Sequence, residues 1–138
     1  MTEKLRIGVI GAGRIGKIHS ENISRFIPAA KLEGIADIKL TAEQEAWAKN
    51  LGARIVSRDP ADLINDRNVD AVAICSSTDT HADLVIAAAA AGKHIFCEKP
   101  VDLSIAKVNT AIEAAKKANV KLQIGFNRRF DHNFARVR

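Results

Sequence analysis

Residues Leu5 to Gly16 read LRIGVIGAGRIG. A β-branched run containing Ile7, Val9 and Ile10 leads directly into Gly11, Gly13 and Gly16, and a helical pattern follows. β-Branched side chains suit a pleated, buried surface, so Leu5 to Ile10 is expected to be a buried strand. Each glycine then has a task. Gly11 permits a tight turn, Gly13 presents no side chain to an approaching ligand, and Gly16 lets the helix lie close to the strand. The ligand that suits such a turn is a dinucleotide pyrophosphate, because the free N–H groups and dipole at a helix start favour negative charge.

Two flanking features agree. Ile15, Ile18, Ile23 and Phe26 recur at roughly helical spacing. A second apolar run, Lys31 to Ala36, ends in Asp37, 21 residues past Gly16. An acid about 20 residues beyond the glycine turn is where ribose hydroxyls are held. A carboxylate there accepts from both hydroxyls and repels a 2′-phosphate, which favours NAD over NADP, although Lys39 close by keeps NADP open.

The remaining chain alternates strand and helix. Thr41, with Gln44 three residues on, opens a helix over Ala42 to Leu51 that Gly52 ends. Arg54 to Val56 is a short strand, and Asp59-Pro60 opens a short helix with proline at its first position. Val69 to Cys75 is an apolar strand, Ser76 to Thr80 a polar turn, and His81 to Ala91 a helix ending at Gly92. His94 to Cys97, Asp102 to Asn119 and Lys121 to Gly125 follow as strand, helix and strand. Strands joined by helices require a parallel sheet covered on both faces. The expected fold is therefore α/β: a doubly wound, Rossmann-type parallel sheet of about six strands in the order 3-2-1-4-5-6, with ligand across the carboxyl ends where the order reverses.

Composition narrows the function. The 138 residues, 47% hydrophobic, suffice for one domain with a real core. No apolar run spans a bilayer, and the polar start carries no secretory signal, so a cytoplasmic protein without membrane contact is expected. Cys75 and Cys97 lack metal-ligand spacing and read as reduced core thiols. The net charge of +5 is concentrated in Arg128, Arg129, Arg136 and Arg138, with no interleaved aromatics elsewhere, so nucleic acid is not an expected partner.

Three further segments belong to the same carboxyl edge. Ser76 to His81 supplies hydroxyls for the ribose or nicotinamide end, while Thr78 or Asp79 also suits a helix cap. Glu98-Lys99-Pro100 follows the fifth strand, and an X-Pro bond there is a candidate for cis. An ammonium at this edge, that of Lys99, can stabilise a developing alkoxide, though composition alone equally allows a surface lysine. Gly125 to Asp131 carries adjacent arginines at the cleft mouth, or a solvated basic end.

Together, GVIGAGRIGKIHSENI, CSSTDTHADLVIAAAAAGKHIFCEKP and GFNRRFDHNF resemble the glucose–fructose oxidoreductase/inositol dehydrogenase family, nearest its inositol 2-dehydrogenase members. The resemblance implies hydride transfer from a ring hydroxyl of myo-inositol or a related polyol or sugar to NAD, yielding a ketone. It implies that Gly11, Gly13, Arg14 and Ile15 line the pyrophosphate and that Asp37 binds the adenosine ribose. Ser76, Thr78 and His81 would lie along the cofactor, Glu98 at the nicotinamide ribose, and Asn127 and Arg128 near the nicotinamide and substrate. Lys99 matches the active-site lysine. Family members continue into a second domain that supplies an aspartate and a histidine base, and the full-length protein is expected to be a homo-oligomer. On this reading residues 1–125 form the NAD-binding domain and residues 126–138 begin the connection to that second domain. Phe126, Phe130, Phe134 and Val137 would line one stripe of a terminal helix, packed on a partner surface or back on its own domain. The competing reading is a stand-alone nucleotide-binding or redox-sensing module that pairs through this helix.

Overall fold

A computed structural model describes residues 3–136. Its six strands are β1 Leu5–Ile10, β2 Ala30–Ala36, β3 Ile55–Ser57, β4 Ala71–Ile74, β5 His94–Cys97 and β6 Leu122–Ile124. The helices between them are α1 Arg14–Arg25, α2 Ala42–Asn50, α3 Ala61–Ile64, α4 Thr78–Ala90 and α5 Ile105–Lys117. A 3₁₀ turn, Asn127–Phe130, and α6, His132–Ala135, follow β6. All strand pairs are parallel and the order is β3-β2-β1-β4-β5-β6, as the sequence pattern predicts.

Strand periodicity divides the interior into two cores. Successive side chains point to opposite faces. Val9 and Ala73 join Ile23, Ile35 and Ala48 in one core, while Ile10, Val72 and Ile74 join Val85, Ala88 and Ala111 in the other. All four residues of β4 are buried, the condition of a central strand covered on both sides. In the alanine run of α4, Ala88 and Ala89 are buried, and small side chains there let α4 and α5 pack against each other.

Several local expectations need correction. Helix α4 begins at Thr78, and its cap is Ser77 rather than Thr78 or Asp79. The polar run reads as a loop, yet Thr80 donates both its amide and its hydroxyl to the Ser77 carbonyl, closing the first turn. Helix α5 begins at Ile105, because Asp102 accepts from the Ser104 amide at 2.8 Å and forms a turn instead. Pro60 stands at the cap of α3, one place before its first residue. Strand β4 is shorter than the apolar run: Asp70 and Cys75 hydrogen-bond to β1 but flank the regular ladder. Ile18 and Phe26 are 46% and 72% exposed, so only part of the α1 stripe is core.

The terminal helix is the largest departure. Asp131 is extended (φ −85°, ψ 127°), and its carboxylate caps the Asn133 and Phe134 amides. The cap splits the segment into a 3₁₀ turn and one α-turn, so Phe126, Phe130 and Phe134 cannot form a single helical stripe. All three are exposed, and Arg128 stacks over Phe134 at 4.6 Å. Val137 and Arg138 lie outside the described residues.

Candidate functional site: a groove at the carboxyl ends of β1, β2 and β4

The glycine turn is shaped by close backbone approaches. Gly11 has φ +103°, and a Cβ there would meet the backbone of Cys75 and Ser76 at 2.6 Å. A Cβ on Gly16 would lie 1.8 Å from the Gly11 carbonyl oxygen, so α1 can seat against the turn only with glycine at this position. Gly13 differs: a Cβ there would meet nothing within 4 Å. That residue caps α1 without a side-chain bond, and no acid occupies the first turn of the helix. The helix start is thus bare and free of competing negative charge, as an anion site requires.

Asp37 follows β2 and is half-buried. Its carboxylate accepts from the Ala12 amide at 2.6 Å and from the Lys39 amide at 2.8 Å. These bonds fix the acid against the glycine turn. Gly11, Gly13, Asp37 and Ser76 share the wall of one groove of about 740 Å³. Ile38, Pro60, Leu84 and Ala87 form its apolar side. The combination of a bare helix start, a fixed acid and an apolar slot fits pyrophosphate, ribose and an aromatic base respectively.

The other candidates are arranged differently. Thr78 starts α4, Arg14 is exposed and Ile15 half-buried on α1; none of them lines the groove. Glu98 and Lys99 sit together at the end of β5. The Glu98 carboxylate lies 2.8 Å from His19 Nε2 and accepts from the Lys99 amide at 3.3 Å. A Cβ on Gly125 would lie 3.1 Å from that carboxylate, so the residue after β6 packs onto it. Lys99 is exposed and the Lys99–Pro100 peptide is cis. Asn127 and Arg128 are exposed on the 3₁₀ turn.

His81 is 2% exposed, beneath the site rather than along the groove. Its Nδ1 lies 2.8 Å from the Pro100 carbonyl and its Nε2 3.0 Å from the Ser76 carbonyl. It therefore lies between the proline turn and the loop after β4. Burial, with Glu98 nearby, pushes the Cys75 and Cys97 thiols up to about 12. Both cysteines are free, Cys97 buried and Cys75 half-buried, and thiols raised this far carry little of the thiolate character that redox sensing uses.

His19 and Gln44 join the site without a motif that marks them. His19 lies one helical turn past Gly16, a spacing that places the two on one face and was the available signal. Gln44 announced itself only as a capping residue; its bond to the Ala12 carbonyl, 32 positions away, is tertiary.

Residues 5–126 match the family described as "Oxidoreductase family, NAD-binding Rossmann fold". The chain belongs to this family. Among relatives of this oxidoreductase domain, the myo-inositol 2-dehydrogenase of Thermotoga maritima is 53% identical over 97% of the chain and 40% of its own length. The scyllo-inositol 2-dehydrogenase (NAD(+)) of Bacillus subtilis is 41% identical over 98% of the chain and 39% of its own length. A crystal structure of scyllo-inositol dehydrogenase from Lactobacillus casei with bound NAD(H) and scyllo-inositol superposes with TM-score 0.91. It is 36% identical and matches 98% of this chain and 40% of that one. The chain thus spans about 40% of the length of these relatives. Among the described residues no helix is long and apolar enough to cross a membrane.

Proposed function

We propose that this oxidoreductase domain binds NAD(H) with the pyrophosphate over Gly13 at the start of α1 and the adenosine ribose on Asp37. The observation that carries the reading is the pairing of the open face of Gly13 with a carboxylate fixed 2.6 Å from the neighbouring Ala12 amide. Arg14 and Ile15 add backbone N–H groups at the helix start, and Ser76 and Thr78 hold the cofactor beyond the turn. The apolar slot between Ile38 and Leu84 takes the adenine. NADH binding at least about tenfold tighter than NADPH binding is expected, and D37S is expected to erase that preference. Equal affinity of the native domain for both cofactors would overturn the assignment of Asp37.

We further propose that the whole protein oxidises a ring hydroxyl of an inositol or related polyol or sugar to a ketone. The named activities of the relatives support this, as does a lysine at the same sheet edge. Bound in the groove, NAD supplies the hydride acceptor. Lys99 donates to the substrate hydroxyl and stabilises the developing alkoxide. Glu98, held by His19, lies at the nicotinamide ribose. Asn127 and Arg128 lie near the substrate, and residues 126–138 begin the connection to the substrate domain. The proton acceptor belongs to the part of the relatives that this chain does not span. A reducing, cytoplasmic setting suits the two free thiols, and the whole protein acts as a homo-oligomer. In the whole protein, K99M is expected to lower kcat with myo-inositol by about 100-fold or more while leaving NADH affinity within about twofold.

A further inference from the structure

Helix α2 begins with a complete capping box. The Gln44 amide donates to Thr41 Oγ1 at 3.2 Å, and the Thr41 amide donates to Gln44 Oε1 at 2.9 Å. Glutamate or glutamine fills this role equally by geometry, and the helix dipole favours glutamate. Here the residue is glutamine, and its second function explains the choice. Gln44 Nε2 donates to the Ala12 carbonyl at 3.1 Å, inside the glycine turn. Only an amide can accept from Thr41 and donate to Ala12 at once; a carboxylate would set an oxygen against an oxygen.

The contact fixes one peptide of the turn. Ala12 is 1% exposed, and its own amide donates to Asp37 at 2.6 Å. With its carbonyl held by Gln44, both polar groups of Ala12 are pinned. The Ala12–Gly13 peptide is trans and planar, so fixing that carbonyl also fixes the opposed Gly13 N–H at the head of α1. Gln44 lines the groove as well.

We propose that Gln44 is a positioning residue of the dinucleotide site, coupling the cap of α2 to the orientation of the Ala12–Gly13 peptide and to Asp37. The inference rests on NAD(H) occupying this groove. Hydrogen-bond position, rather than charge or helix stability, is what Gln44 contributes.

Three variants separate these contributions. Q44E keeps the cap, loses the donor and adds a charge. Q44M loses cap and donor without adding charge. T41A weakens the cap and keeps the donor. NADH affinity, measured by fluorescence titration, is expected to fall about fivefold in Q44E and Q44M and to stay within about twofold in T41A. Thermal melts are expected to show a lower Tm in all three, from the weakened cap in Q44M and T41A and from the unpaired Ala12 carbonyl in Q44E and Q44M. Amide resonances of Ala12 and Gly13 in the free protein are expected to shift in Q44E and Q44M and to hold in T41A. The proposal fails if Q44M binds NADH like the native domain, since charge then explains Q44E. It also fails if affinity tracks Tm across the three, or if affinity falls while both resonances stay in place, which would mean direct ligand contact. If the native domain binds no NADH, the groove assignment falls and this inference with it; native binding with unaffected variants defeats the inference alone.

Discussion

Replacing Gly13 and Gly16 by alanine should have opposite consequences, although the two glycines stand three residues apart in one motif. At Gly13 an added methyl meets nothing within 4 Å, and the backbone (φ −72°, ψ −172°) lies in the extended region open to any residue. Restricting the unfolded chain contributes about 0.4–1 kcal/mol of stability. Losing glycine as a helix cap costs about 0.5 kcal/mol. The two nearly cancel, so G13A should melt within about 3 °C of the native domain. Its methyl instead occupies the face over which the pyrophosphate is proposed to lie, and NADH affinity should fall at least about tenfold, or about 1.4 kcal/mol. At Gly16 the methyl would sit 1.8 Å from the Gly11 carbonyl oxygen, so α1 must move off the turn. Overpacking against backbone costs about 3 kcal/mol, a fall of about 10 °C in a domain of this size. Calorimetric melts and NADH fluorescence titrations on both variants test the division. Native NADH affinity in G13A would refute the placement of the pyrophosphate, and a large fall in its Tm would refute the claim that this glycine is kept for ligand rather than fold.

Further tests bear on the ribose, on the chemistry and on stability. The D37S exchange and the K99M variant proposed above separate cofactor choice, read by paired NADH and NADPH titrations, from the chemical step, read by kcat in the whole protein. At the opposite edge of the sheet, hydrogen bonds and charge from Arg6 hold the Asp70 carboxyl at about 2, below its ordinary 3.8. Because the folded value is depressed, the pair's contribution is complete above pH 3.8 and is lost as pH falls through about 2. Asp70 is 32% exposed, so D70N should cost only about 1 kcal/mol at pH 7, with the difference from the native domain vanishing near pH 2 in urea melts. NADH affinity should not change, since the pair is remote from the groove; a weaker complex would contradict the separation of a stabilising edge from a binding edge.

The double-sided burial of β4 was legible because four consecutive apolar residues leave no solvent face. The tight turn at Gly11, the close helix approach at Gly16 and the place of Asp37 beside that turn are legible because they depend on local geometry and on a spacing that the strand–helix–strand unit imposes. The start of α4 is hidden in the sequence since serine and threonine serve loops and first helical turns equally; a hydroxyl bond to the Ser77 carbonyl decides between them. The phenylalanine spacing does not give a stripe because periodicity presumes an unbroken helix, and Asp131 caps a new one instead.

Local order in this chain thus followed from side-chain period, caps and glycine spacing, each a property of neighbours along the backbone. Tertiary structure alone decided which distant groups meet: Gln44 at the Ala12 carbonyl, His19 at Glu98, and His81 between the Ser76 and Pro100 carbonyls. Those contacts arise only when the parallel sheet brings its carboxyl ends to one edge, and no pattern within a single element encodes them.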